Sequence, residues 1–353
     1  MPVGEASDIA STILVRISVV IVTYNNADTL GDSLPLLARQ MRDGDEIVVV
    51  DNASADDSPQ LAESSVPDSV VIRNSRNLGF AAGCNLGAAA ASGDLLLFLN
   101  PDSRVADGFL DAIEAAPAGW GAWMGLVTME DGTLVNTSGG VLHFTGLGWA
   151  GEAGRPVAVA PGAPAEVGFA SGACFAIPRA RYLELGGFAE HFFMYCEDVD
   201  LSLRVRLHGD AVGVLPAARV DHDYDFHKGA LKWRLLERNR LATIVRTYPA
   251  ALLALVAPAL LAAELAILAA ALAGGWAPQK LLAWGDVVRV LPRMLGERAA
   301  IQRRRTVSAG EFARSLSAEL SSPYLGSAVR SAPVRVLLRA YWRVVLAILR
   351  AAR

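Results

Sequence analysis

Four short apolar runs shape the first hundred residues, and each ends in polar side chains. Residues 16–23 lead into Tyr24-Asn25-Asn26, and residues 46–50 into Asp51-Asn52. Residues 70–72 lead into Arg73-Asn74, and residues 94–99 into Asn100-Pro101-Asp102. Runs that are apolar at every position suit strands buried on both faces of a parallel sheet. Between them, residues 28–41 carry apolar side chains at helical spacing, and residues 80–91 are rich in Ala and Gly. Strands alternating with helices imply a parallel sheet with right-handed crossovers. The polar ends then collect along the C-terminal edge of that sheet, where open α/β sheets bind ligands.

No P-loop spacing is present, and no Gly-x-Gly-x-x-Gly opens a helix after the first strand. Gly79, Gly83 and Gly87 recur every four residues instead, which suits close helix packing. Asn25 with Asn26, Asp51 with Asn52, and Asn100 with Asp102 sit at three strand ends. Such groups converging can read a nucleobase and ribose and hold a hard divalent cation near a diphosphate. Asp51 followed by Asn52 is also good turn chemistry, so Asp51 as a plain strand terminator stays open. Residues 120–178, with short apolar runs among Gly and Ala, extend the sheet and shape the second half of a cleft.

A second informative stretch is His191-Phe192-Phe193-Met194-Tyr195-Cys196-Glu197-Asp198-Val199-Asp200-Leu201. Three carboxylates crowd behind an aromatic run, at the start of a helix over residues 199–205. They either cap that helix or carry protons. Asp200, one step into the helix, reads as structural.

The chain is oily, with 53% hydrophobic residues and positive mean hydropathy. From residue 274 onward 14 Lys and Arg face 4 Asp and Glu; with a net charge of −4 overall, the first 273 residues carry −14. An acidic body with a basic, apolar tail fits an anionic membrane surface better than nucleic acid. Residues 250–273 are almost wholly apolar, interrupted by Pro258 and Glu264. The expectation is an interfacial hairpin bent at Pro258, slightly ahead of a membrane span, because basic residues flank both ends. Residues 334–353 space Arg335, Arg339 and Arg343 four apart, as in a basic amphipathic helix for lipid headgroups or for a homodimer contact. Three scattered cysteines fit a reducing compartment.

Five ordered motifs now join. Ser18-Val19-Val20-Ile21-Val22-Thr23-Tyr24-Asn25, Val48-Val49-Val50-Asp51-Asn52-Ala53-Ser54, Asn77-Leu78-Gly79-Phe80-Ala81-Ala82-Gly83-Cys84-Asn85-Leu86-Gly87, Leu99-Asn100-Pro101-Asp102 and Glu197-Asp198-Val199-Asp200-Leu201 resemble the family 2 glycosyltransferases of GT-A fold. The bacterial rhamnosyltransferase-like branch, which builds cell-surface glycans, is the nearest likeness. The resemblance covers residues 16–250. It implies an α/β fold with a mostly parallel central sheet flanked by helices, and a C-terminal helical membrane-associated extension. The expected division is a leader over 1–15, a catalytic domain over 16–249 and the helical region over 250–353.

The resemblance also implies roles. Thr23, Tyr24 and Asn25 form the loop under the nucleotide, and Asp51, with Asn52 beside it, contacts base or ribose. Asn77, Gly79 and Asn85 line the nucleotide-sugar pocket. Asn100-Pro101-Asp102 stands where the family has Asp-x-Asp, so Asp102 is the main carboxylate ligand of Mg2+ or Mn2+. His222 is a second metal ligand, or else a surface ion pair among Asp221, Asp223 and Asp225; His227 and Lys228 are rival contacts to the diphosphate. Asp198 is the catalytic base, and Glu197 beside it is expected to raise its pKa by like-charge repulsion. The partners implied are a nucleotide-diphosphate sugar, a lipid-linked or glycan acceptor and an anionic membrane at its cytoplasmic face, with no nucleic acid. A non-catalytic membrane adaptor that kept the fold is the other reading. A nucleotidyltransferase fits poorly, because the first loop has no basic residue.

Overall fold

The computed structural model describes residues 15–223, 229–322 and 331–351. The expected leader lies almost entirely outside the described residues, as do His227 and Lys228. The first half follows the alternation. β1 (Ile17–Thr23), β2 (Glu46–Asp51), β3 (Val70–Arg73) and β4 (Leu95–Leu99) are joined by α1 (Ala27–Ala38), α2 (Ser58–Ser65) and α3 (Phe80–Ala90). They run parallel in the spatial order β3-β2-β1-β4. β1 and β4 are buried along their whole length and β2 from Ile47 onward, which is why no apolar–polar alternation marks them. The register aligns their polar ends: Thr23 pairs with Asp51, and Leu99 with Ile21.

The glycine spacing in α3 has a packing cause. A Cβ on Gly83 would lie 2.7 Å from Val22 Cγ1, and one on Gly87 2.3 Å from Val20 Cγ1. Glycine lets this helix rest directly on β1 and β2.

The chain continues through β5 (Arg104–Val105), α4 (Phe109–Glu114), β6 (Trp120–Met129), β7 (Leu134–Thr137), β8 (Gly140–Leu142), β9 (Gly148–Ala150), β10 (Ala165–Glu166), β11 (Cys174–Pro178), α5 (Arg179–Leu185), α6 (Glu197–Leu207) and β12 (Ala211–Asp221). β11 inserts antiparallel between β4 and β6, and β12 runs parallel to β6. β5 folds back on the end of β12, pairing Arg104 with Asp221. An Arg104–Asp221 ion pair fastens that corner. This short bridge carries residue 222 to the loop after β4.

Among the described residues five helices follow: α7 (Gly229–Thr247), α8 (Ala250–Ala273), α9 (Ala277–Arg303), α10 (Ala309–Ala313) and α11 (Ala332–Ala351). The bend expected at Pro258 does not occur. α8 runs unbroken through it, and the chain reverses at Gly274-Gly275, where Gly275 has φ +74°. Pro258 leaves the Ala254 carbonyl without its helical donor. The Tyr341 hydroxyl donates to the neighbouring Leu255 carbonyl and stiffens that turn.

Two sets of contacts bear on the expectations for this region. The basic flanks of the apolar segment are largely paired inside the protein. Arg234 bonds Asp286, Arg246 bridges Asp200 and Glu297, and Arg293 bonds Glu297. Arg240 and Lys280 each bond both Glu237 and Glu264. Glu264 therefore sits in an apolar helix because two cations and the Trp284 indole N–H meet it there. α11 is likewise not free. Trp342 stacks on Phe144 at 4.8 Å, and Trp342, Val345 and Leu349 are buried, leaving Val336, Leu337, Val344 and Ile348 exposed.

Candidate active site

The loop between β1 and α1 is preorganised by polar contacts to the loop after β2. The Asn25 N–H donates to Ser54 Oγ at 2.9 Å, and the Ala55 N–H donates to Asn25 Oδ1 at 2.7 Å. Asn25 holds φ +56°, a conformation asparagine tolerates better than most residues. Thr23 is buried beneath this loop and Tyr24 exposes its ring. Asp51 is buried, and both its carboxylate oxygens accept from the Ser54 N–H, at 3.2 and 3.3 Å. The turn chemistry foreseen for Asp51 is therefore present, at the head of the same cleft edge.

Two residues expected at the sugar-nucleotide also make structural bonds. Asn52 donates to the Gly79 carbonyl at 3.0 Å and accepts from Asn74 at 2.9 Å, tying β2 to the next loop. Asn85 donates to the Phe188 carbonyl and accepts from the Tyr182 hydroxyl at 2.6 Å. It lines a separate cavity of about 310 Å³ behind the Gly187–Phe188 turn. Asn77 Oδ1 accepts from the Gly79 N–H at 2.8 Å, which forms the turn into α3. Gly79 has φ +86°, and a Cβ there would lie 2.5 Å from the Phe193 ring and carbonyl.

On the other side of β4, three expected residues converge. His222 Nε2 lies 3.1 Å from Asp102 Oδ1 and 3.1 Å from Asn100 Nδ2. The His222 main chain is held by Thr128 and by the Asn136 side chain. His222 is buried. A carboxylate oxygen beside an imidazole nitrogen suits a transition divalent ion such as Mn2+. Among the described residues no group of three or more His, Cys, Asp or Glu is placed to hold a metal ion.

Asn100 and His222 share a cavity of about 520 Å³ with Glu197 and Asp198. Its far wall is apolar and aromatic, including Trp149, Phe169, Trp233 and Leu236. Asp198 Oδ2 accepts from the Gly172 N–H at 2.8 Å and Oδ1 from the Val199 N–H at 2.7 Å. Burial still pushes the Asp198 carboxyl above the usual aspartate range, outweighing those N–H donors. The expected cause was repulsion from Glu197. The structure places that repulsion on Glu197 instead, whose carboxyl is driven well above the glutamate range by burial first and by the Asp198 charge second. Asp200 is fully buried between Arg204, at 2.8 Å, and Arg246, at 3.1 Å. It locks α6 to α7.

The segment leading into Glu197 is strained. Phe193, Tyr195 and Cys196 have φ of 66°, 70° and 63°, and none is glycine. Phe193 is the centre of a γ-turn, with the Met194 N–H donating to the Phe192 carbonyl at 2.7 Å. Such conformations cost about 1–3 kcal/mol each and persist only where the surroundings impose them. Here Asn239 on α7 faces the segment, donating to the carbonyls of Phe192, Met194 and Tyr195. Sequence reasoning passed over it. The signal was a run of polar residues, Glu237 to Arg240, in the middle of a helix.

The comparisons with known proteins agree with this architecture. Residues 18–116 match the family Glycosyl transferase family 2. Over 230 residues the chain is 30% identical to the N-acetylglucosaminyl-diphospho-decaprenol L-rhamnosyltransferase of Mycobacterium tuberculosis, spanning 58% of this chain and 75% of that one. The chain belongs to glycosyltransferase family 2. This glycosyltransferase is also 29% identical over 224 residues to the O-antigen biosynthesis protein RfbC of Myxococcus xanthus, covering 59% of this chain and 17% of that one. Among solved structures, GalNAc-T7 with UDP, GalNAc and Mn2+ superposes with a TM-score of 0.55 at 19% identity, covering 68% of this chain and 49% of that one. S. aureus TarS 1–349 in complex with UDP-GlcNAc gives 0.53 at 16%, covering 96% and 92%. These likenesses show the GT-A fold of the glycosyltransferase.

Proposed function

We propose that this glycosyltransferase moves a sugar, with inversion, from a nucleotide-diphosphate donor to a hydroxyl of a lipid-linked glycan at the cytoplasmic membrane face. The observation that carries this reading is the shared cavity: Asp198 opens into the same space as Asn100 and His222, with Asp102 beside them. Thr23, Tyr24, Asn25, Asp51 and Asn77 lie on the β1–β2 side of β4 and take the nucleotide. The cavity on the β11–β6 side takes the acceptor.

Asp102 and His222 would hold a Mg2+ or Mn2+ ion, whose charge would offset the negative charge growing on the leaving diphosphate. The acceptor hydroxyl gives its proton to Asp198 as its oxygen bonds the anomeric carbon. The bond from that carbon to the diphosphate breaks, and its electron pair leaves on the phosphate oxygen. Attack from the face opposite the leaving group inverts the centre. The high pKa set by burial makes Asp198 a stronger base than a solvated aspartate.

Three features support a lipid-linked acceptor in cell-surface glycan assembly. The relative from Mycobacterium tuberculosis carries diphospho-decaprenol in its name. The cavity wall Trp233 stacks at 4.8 Å on Trp276, at the tip of the α8–α9 hairpin. That hairpin exposes Leu261, Leu265, Leu272, Leu281 and Leu282. An aliphatic carrier lying along the hairpin would deliver its sugar to the cavity mouth. The proposed boundary between catalytic domain and helical region, near residue 249, falls between α7 and α8.

The test is release of nucleoside diphosphate from a panel of sugar nucleotides with Mn2+, comparing wild type with Asp198→Asn. Loss of turnover is expected. Equal turnover by both proteins removes Asp198 as the base.

A further inference from the structure

We propose that Asn239 is a positioning residue, which sets the path of residues 192–196 and so delivers Glu197 and Asp198 to the cavity. This rests on the reading of Asp198 as the base. Asn239 is completely buried. Its Nδ2 lies 3.0 Å from the Phe192 carbonyl, 2.9 Å from that of Met194 and 2.7 Å from that of Tyr195. Its Oδ1 accepts from Arg238 Nε at 2.8 Å. Arg238 Nη2 reaches the same loop, donating to the His191 and Phe192 carbonyls at 3.0 and 2.8 Å.

The chemistry of this clamp is specific. Three carbonyl oxygens converge on one point in the dry interior and need a donor with two hydrogens. An aspartate there offers only acceptors and repels them. An apolar residue removes that shared donor. The loop itself contains no glycine at its positive-φ positions, so its local preferences oppose the path it takes.

From the opposite side the loop meets α3. The Ala81 N–H donates to the Phe193 carbonyl at 3.1 Å, and the Phe193 ring fills the space above Gly79. The loop is thus gripped between the entry of α3 and the middle of α7. α7 is itself fixed to the hairpin, through Arg234–Asp286 and through the pairing of Glu237 and Arg240 with Glu264 and Lys280. Asn239 touches no reacting atom; it acts through the backbone that ends at Asp198.

The experiment uses the full chain as wild type, Asn239→Asp, Asn239→Ser, Arg238→Lys and Asp198→Asn. Turnover is measured with Mn2+ and the sugar nucleotide that turns over fastest in the panel. Hydrogen exchange is followed by mass spectrometry on the same proteins. Asn239→Asp is expected to lower kcat about 100-fold, the scale of a misplaced catalytic group, with donor KM within about twofold. Exchange should quicken in residues 192–198 and stay unchanged in β1, β2 and β4. Asn239→Ser, which keeps one donor, should fall between.

Unchanged kcat in Asn239→Asp while Asp198→Asn is inactive overturns the proposal. So does a parallel loss of kcat and donor affinity with exchange raised throughout, because that marks a purely structural residue. If Asp198→Asn turns over normally, the base assignment is what fails. Exchange at 192–198 then decides the clamp alone, and an unchanged rate overturns it. Should Asn239→Asp not fold, Arg238→Lys carries the same comparison with a weaker version of the same loss.

Discussion

His222 Nε2 stands 3.1 Å from Asp102 Oδ1, although 120 residues of chain separate the two. The short pairing of β5 with the end of β12 makes them neighbours. If both ligate the metal, His222→Ala should raise the Mn2+ concentration for half-maximal activity by at least about tenfold. It should also narrow any preference for Mn2+ over Mg2+, since a nitrogen ligand favours the transition ion. Nucleoside diphosphate release across a titration of each metal measures both. Half-saturation equal to that of wild type would exclude His222 as a ligand.

The carboxyls at 197 and 198 make separate pH predictions. A base works only when ionised, and burial raises the Asp198 pKa. Activity should therefore fall on acidification at a higher pH than a solvated aspartate would give. Glu197 bears on stability. Below the ordinary glutamate pKa both folded and unfolded chains hold its proton, and no dependence arises. As pH rises the unfolded chain releases that proton first, while the folded chain retains it because its pKa is raised. The folded state then binds more protons, so stability declines until the folded pKa is reached. Glu197→Gln removes this term. Its Tm relative to wild type should be a few degrees higher at pH 8 than at pH 4. A constant difference across a thermal-shift pH series would contradict the raised pKa of the buried carboxyl.

Asp200 pairs with two buried guanidiniums, so its removal leaves Arg204 without a carboxylate and Arg246 with Glu297 alone. Asp200→Ala should destabilise the fold by about 3–5 kcal/mol, the usual cost of breaking one side of a buried pair. Urea unfolding followed by tryptophan fluorescence reads this directly. A loss below about 1 kcal/mol would mean that Arg204, through its bonds to the Leu185 and Gly187 carbonyls, is already satisfied.

The parts of this protein legible in its sequence are those with a local cause. β1, β2 and β4 are apolar because both faces are covered, and their polar ends mark a cleft edge. The glycines of α3 announced a close contact that proved to be with Val20 and Val22. What could not be read was which polar group faces the cleft and which faces another part of the chain. Asn52 and Asn85 belong to matching motifs, yet their amides bind backbone and side chains of distant segments. Arg240 and Lys280 read only as basic flanks of the apolar segment, because nothing local reveals that Glu264 reaches both of them from α8. Asn239 was silent for the same reason: its three partners lie more than 40 residues earlier.

Those ion pairs change what should hold the protein to a membrane. On the proposed membrane reading, with Lys280, Arg289 and Arg293 paired internally, the exposed leucines should carry the attraction and salt should weaken it little. Burying a leucine contributes about 1.5–3 kcal/mol, so Leu265→Glu with Leu281→Glu should weaken binding to vesicles of phosphatidylcholine and phosphatidylglycerol by well over tenfold. Both side chains are more than half exposed, so Tm should hold within a degree or two. Replacing Arg335 and Arg343 by Ala should have the smaller effect, seen mainly at low salt. Flotation of the variants with those vesicles tests the order. If the leucine variant floats like wild type but loses a dimer in light scattering, the apolar face receives a second copy of the chain and not lipid.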